Sequence, residues 1–140
     1  LDRKKLRTMI FNNSELKRDL EQIIHPEVYA IINQKINASQ EPYQIIVIPL
    51  LIETSYQNFV DRVLVIDCSM ETQLARLINR DDETMKNARK IIANQIERNE
   101  RLKFADDIIE NEKKTSTNVL KKKVLQLHET YLELSEKSLI

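Results

Sequence analysis

The chemistry this chain is best equipped for lies in its arginines. Arg76 and Arg80 stand at i, i+4 and project from one face of a helix, while Arg98 and Arg101 stand at i, i+3 on the next helical stretch. A guanidinium offers a rigid fork of donors that matches phosphate oxygens, so two such pairs flanking a helical segment have the pattern of a phosphate clamp. The competing reading is a solvated face on which they pair with Glu71, Asp81, Glu97 and Glu100. Glu53 and Asp67 follow apolar runs and have the chemistry to assist Mg²⁺ or a hydroxyl nucleophile, or simply to cap loops. His25, directly before Pro26, suits contact with a substrate phosphate or a packed, capping role. Cys68 reads as a small buried residue beside Asp67. No Ser-His-Asp or Cys-His arrangement occurs, and His25 and His128 lie too far apart for a paired metal ligand.

These side chains need elements to hold them. Residues 3–23 have a helical spacing of apolar residues, interrupted at Asn12-Asn13-Ser14, with Ser14 able to cap the second piece. Pro26 suits the first turn of a new helix over 26–36, and 38–42 reads as a loop. Tyr43-Gln44-Ile45-Ile46-Val47-Ile48 is β-branched and nearly continuous, the composition of a strand buried on both faces, and Pro49 stops it. Residues 62–67 form a second such strand. Ser69 caps a helix with Leu74, Leu77 and Ile78 inward, broken at Asp81-Asp82. A further helical stretch covers 84–102, a short strand covers 107–111, and an amphipathic helix carrying Val119, Val124, Leu127, Tyr131 and Leu134 closes the chain. Buried strands alternating with helices predict an α/β domain with a parallel sheet. Ligands of such sheets sit beyond the carboxyl ends of the strands, which selects 49–53, 67–69 and 110–113 as the functional rim.

Composition narrows the chemistry further. The chain has 140 residues, 41% of them hydrophobic, with 22 basic and 22 acidic side chains balanced to zero net charge. That balance speaks against a disordered tail and against a basic surface for nucleic acid. No apolar run approaches a membrane span and one cysteine excludes an internal disulfide, so the expected location is the cytoplasm. There is no glycine at all, where average usage of about 7% predicts roughly ten. A chain without glycine lacks a Walker A loop, a dinucleotide fingerprint and a nucleophile elbow.

The order of short motifs then becomes informative. Leu6-Arg7, Ile10-Phe11-Asn12, Ile24-His25-Pro26 and Ile48-Pro49-Leu50-Leu51-Ile52-Glu53 are followed by Asp61-Arg62-Val63-Leu64-Val65-Ile66-Asp67. Glu71-Thr72-Gln73-Leu74-Ala75-Arg76, Asn79-Arg80-Asp81-Asp82, Gln95, Arg98, Arg101-Leu102 and Ala105-Asp106-Asp107-Ile108-Ile109-Glu110-Asn111 continue the series. In this order, over nearly the whole chain, they resemble the dephospho-CoA kinase family. The resemblance implies a P-loop kinase that uses ATP and Mg²⁺ to phosphorylate the 3′-hydroxyl of dephospho-CoA, in the last step of coenzyme A synthesis. It implies an incomplete parallel sheet flanked by helices, with residues 1–41 as part of a helical CoA-binding region, 43–78 and 105–140 as nucleotide-binding core, and 79–104 as a helical lid.

The same resemblance matches Arg76 to the family's arginine that reaches the ATP phosphates, begins the lid at Arg80, puts the turn at Asn111 near adenine and sets Arg7 and His25 among the substrate-side helices. Taken with the spacing above, the candidates are Arg76 for catalysis, Arg76, Arg80, Arg98, Arg101 and Asn111 for ATP, and Arg7, His25 and Glu53 for the substrate. No resident metal ligand is assigned. The family's Gly-rich loop and its activating aspartate have no counterpart here, so the chain reads as the C-terminal two-thirds of such an enzyme and is expected to be inactive alone. The family's central first strand is missing with them. Its absence predicts that the strands at 44–48 and 62–67 re-pair, that another copy covers the open edge by self-association, or that a longer parent fills the gap. The alternative function is a non-catalytic helical interaction module derived from a P-loop kinase.

Overall fold

The computed structural model describes residues 13–81 and 84–137, together with Leu6 and Met9. The chain divides into two compact units, 1–44 and 45–140. In the first, helix α1 (Ser14–Ala38) is capped by Asn13, whose side chain accepts from the N–H groups of Glu15 and Leu16 at 3.0 and 3.1 Å. The cap is therefore one residue earlier than Ser14. Nor does Pro26 begin a new helix; it lies inside α1. An interior proline costs about 3 kcal/mol, yet the half-buried stripe of His25, Tyr29, Ile32 and Ile36 keeps one helical phase past it. The expected helix ahead of Asn13 falls largely outside the described residues.

The second unit carries the sheet. Strands β1 (Leu64–Asp67) and β2 (Asp107–Glu110) pair in parallel, with Leu64 opposite Asp107 and Asp67 opposite Glu110. Between them come α2 (Met70–Asp81), α3 (Met85–Ala93) and α4 (Arg98–Leu102); α5 (Thr117–Lys137) follows β2. Val63, Val65 and Ile109 are buried about the strand pair, Ala88 on α3 and Tyr56 in a 3₁₀ turn. Hydrogen bonds prolong the ladder at both ends: the Val63 carbonyl accepts from Asp106 and Asp107, and Asn111 N–H donates to the Asp67 carbonyl at 2.7 Å.

Two expectations fail here. The stretch 43–48 is no strand: Ile45 and Val47 are exposed, and among the described residues the sheet contains β1 and β2 alone. β-branched residues fit a pleated surface, but a strand exists only against a neighbour whose N–H and C=O groups answer its own. It does not re-pair with β1. The helix expected over 84–102 is two helices, because Asn94 turns its N–H back to the carbonyls of Ile91 and Ile92 and ends α3. Thr84 starts α3 by accepting the Asn87 N–H at 3.2 Å. Among the described residues no helix is long and apolar enough to cross a membrane.

Candidate functional site

The carboxyl ends of β1 and β2 gather the charged groups. Asp67, the last residue of β1, is 3% exposed and faces the guanidinium of Arg98, which donates from Nε at 3.0 and 3.1 Å and from Nη2 at 2.5 Å. Arg101, one turn along α4, brings Nη2 to 3.9 Å from the same carboxylate. The Arg98 hydrogen bonds, aided by the Arg98 and Arg101 charges, hold the Asp67 carboxyl below the usual carboxylate range against the opposing pull of burial. Asp67 in turn raises the pKa of Arg98.

Across the rim, Arg76 reaches from α2 to Asn111, just beyond β2. It donates from Nη1 to the Asn111 carbonyl at 2.8 Å and from Nη2 to Oδ1 at 3.2 Å. The start of α2 is tied to the same loop by Glu112. Its carboxylate accepts from the Ser69 N–H, the Ser69 hydroxyl and, at 2.6 Å, the Thr72 hydroxyl. These bonds, the one from Thr72 foremost, lower the Glu112 pKa. Ser69 also accepts the Thr72 N–H at 3.3 Å, which is the cap expected of it.

The expected residues fall into separate groups. Arg76, Arg98, Arg101 and Asn111 meet at the strand ends. Arg80 instead forks onto Asp81, with both contacts at 2.7 Å, the salt-bridged surface pattern weighed for the whole arginine set. Glu53 sits in the turn after Pro49 and accepts the Ile96 N–H at 2.8 Å, so it anchors the segment leading into α4. His25 lies on α1 in the first unit, and Arg7 lies outside the described residues. Composition alone did not reveal Glu112, Ser69 and Thr72 as a joint cap; a Ser-x-x-Thr spacing was the only hint, and Glu112 joins it from 40 residues away. An open cleft of about 670 Å³ adjoins this rim, with Leu77, Ile91 and Ile92 as its apolar wall and Arg76, Arg80 and Gln73 as polar groups.

Residues 1–117 match the family model described as dephospho-CoA kinase. The chain belongs to the dephospho-CoA kinase family. It is similar to the dephospho-CoA kinase of Mannheimia succiniciproducens, at 41% identity over 97% of this chain and 64% of the relative. The dephospho-CoA kinase of Gamma-proteobacterium EBAC31A08 is 43% identical over 96% of this chain and 67% of its own length. The chain thus spans about two thirds of the length of these relatives. Among solved structures, dephospho-CoA kinase from Campylobacter jejuni aligns with a TM-score of 0.63 and 33% identity, over 99% of this chain and 67% of that one. TT1252 from Thermus thermophilus, at a TM-score of 0.85 and 23% identity over 94% of this chain and 68% of that one, shares the fold. The α/β unit described above is accordingly part of a P-loop kinase fold.

For the Mg²⁺ expected to accompany ATP, the carboxylates described here do not fit a resident site. Asp67 is committed to Arg98, Glu53 to the Ile96 N–H, and Glu112 to Ser69 and Thr72. Among the described residues no group of three or more His, Cys, Asp or Glu is arranged to hold a metal ion.

Proposed function

We propose that this chain supplies the C-terminal part of a site that transfers the γ-phosphate of ATP to the 3′-hydroxyl of dephospho-CoA. The observation that carries this reading is the gathering of Arg76, Arg98 and Arg101 at the carboxyl ends of two parallel strands, in a chain of the dephospho-CoA kinase family. In the reaction the 3′-hydroxyl oxygen gives up its proton to a base or solvent and bonds to the γ-phosphorus as the bond to the β,γ-bridging oxygen breaks and ADP leaves. Such transfer is mostly positioning and charge stabilisation, which is what guanidinium forks do well. Arg76 acts on the transferring group, Arg80, Arg98, Arg101 and Asn111 on the nucleotide, and Arg7, His25 and Glu53 on the acceptor side. Mg²⁺ enters with ATP. The helical region 1–41 serves the acceptor, 43–78 and 105–140 the nucleotide, and 79–104 the lid.

With no glycine, the chain has no nest of backbone N–H groups for the β- and γ-phosphates, so transfer needs a Gly-rich loop from sequence outside it. The test is phosphorylation of dephospho-CoA by the purified 140-residue chain, beside the whole protein carrying such a loop. Turnover is expected only in the longer protein. Comparable turnover by the short chain overturns its dependence on the loop, and silence of the longer protein overturns the activity. A second reading, a non-catalytic interaction module, draws on the exposed Ile66 and Ile108 on the two faces of the strand pair. It gains if neither protein turns over.

A further inference from the structure

Asp67 stands apart from the groups assigned above because it is an anion where an anion must be bound. A bare carboxylate at the end of β1 would repel a phosphate and, being buried, would itself be costly to leave charged. The structure resolves both problems at once. Arg98 lays its Nε–Nη2 edge along the carboxylate, and Arg101 stands beside it, so one negative charge meets two positive ones and the cluster keeps a net positive charge. The burial is uneven: the Asp67 side chain is 3% exposed, whereas that of Arg98 is 47% exposed. Of the five N–H donors of a guanidinium, Asp67 engages Nε–H and one on Nη2, leaving the outer edge toward solvent.

Arg98 is therefore oriented before any ligand arrives. Its segment is held at two further points, where Ile96 N–H meets Glu53 at 2.8 Å and Gln95 meets the Gln73 amide at 3.3 Å. A fork free to rotate would have to be ordered by the ligand, and that ordering would weaken binding. We propose that Asp67 is the positioning residue of this site: it holds Arg98, with Arg101 beside it, so that the outer guanidinium edge is preset for the phosphate chain of a nucleotide. This rests on the reading of the site as ATP-binding and goes beyond it by giving Asp67 an indirect, non-metal role.

The experiment uses the whole protein and two readouts, turnover of dephospho-CoA and calorimetric affinity for ATP without an acceptor. Asp67→Asn keeps the shape and removes the charge. It should weaken ATP about tenfold and leave KM for dephospho-CoA unchanged, because the effect acts through Arg98. Arg98→Ala should do the same, and the double variant should be no worse than Arg98→Ala alone. Additive losses, or an Asp67→Asn protein of lower thermal stability with unchanged ATP affinity, would show an ion pair of structural value only and overturn the proposal. Arg98→Lys covers a failure of Asp67→Asn to fold: it retains the charge without the fork and should lose most of the same tenfold, while full affinity would overturn the preset geometry. Loss of turnover in the unmutated protein with ATP binding intact counts against the acceptor assignment and leaves the Asp67 test readable.

Discussion

Arg62 grips Asp107 at the amino ends of the two strands in the same two-pronged way that Arg98 grips Asp67 at the carboxyl ends, with Nε at 3.0 Å and Nη2 at 3.2 Å from the two carboxylate oxygens. Tyr131 of α5 adds its hydroxyl to Asp107 at 2.9 Å. The amino-end pair lies at the opposite end of the strands from the rim, so it should serve stability alone. Arg62→Ala should cost about 1 kcal/mol by denaturant unfolding, the scale of a half-exposed ion pair, and leave ATP affinity as it was. Loss of ATP affinity with unchanged stability would refute that division of labour.

Acid should loosen both ends together. Asp67, Asp107 and Glu112 all titrate below the usual carboxylate range, held there chiefly by hydrogen bonds from Arg98, Arg62 and Thr72 respectively. Unfolded, they take protons near pH 4, so as the pH falls from about 5 toward 3 the unfolded chain binds more protons than the folded one and stability drops. Above about pH 5 this stabilisation is complete. Unfolding midpoints measured across that range should fall with pH, and Asp67→Asn should flatten the fall. A midpoint indifferent to pH there would contradict the assignment.

The two helices of the proposed lid are held in different ways. The approach to α4 is tied by polar contacts from Glu53, Gln73 and Asp67, whereas α3 rests on packing against α2, with Ala88 buried. Amide exchange should be faster across 85–93 than in β1 and should slow when ATP is added to the whole protein. Ile96 N–H should be slow and should become fast in Glu53→Ala. Equal protection of α3 and β1, unaltered by ATP, would rule out the lid.

Arg76→Ala should lower kcat/KM in the whole protein by at least ~10²-fold, the loss of one preorganised donor to the transferring group. Arg76→Lys should recover only part, because an ammonium cannot span the Asn111 carbonyl and Oδ1 as the fork does. Near-normal turnover by folded Arg76→Ala protein removes Arg76 from the chemistry.

Ser55 has φ 60 and ψ 22, the left-handed region, in the turn that carries Glu53. A β-branched side chain is poorly tolerated there, so Ser55→Val should destabilise by about 1–3 kcal/mol. Ser55→Gly should unfold no more easily than the parent. Chemical denaturation of the two variants checks both statements.

The strands around Val63–Asp67 and Asp107–Glu110 were legible because apolar β-branched runs ending in acids have few other uses. The run at 43–48 looked equally strand-like, but strandness there depends on a neighbour that no local pattern encodes. Pro26 misled for a related reason: its local preference to begin a helix was overridden by apolar residues in phase on both sides. The arginines were visible at once, and their partners were not. Spacing offers Arg98 its sequence neighbours Glu97 and Glu100, yet it meets Asp67 from 31 residues away. Spacing on a helix tells which side chains share a face and says nothing of what the next strand brings to meet them.

The parallel pairing of β1 with β2 has a consequence for how this protein is made. Val63, at the head of β1, bonds to Asp106 across 43 residues, with three helices among the described residues of the crossover. At a synthesis rate of about 5–20 residues per second, β1 leaves the ribosome roughly 2–9 s before its partner has been translated. During that interval an apolar strand with both backbone edges open is presented to whatever is nearby, including other nascent copies. Yield in the cell should therefore respond to translation speed over 68–106 and to the supply of chaperones, even where the finished fold is unaltered.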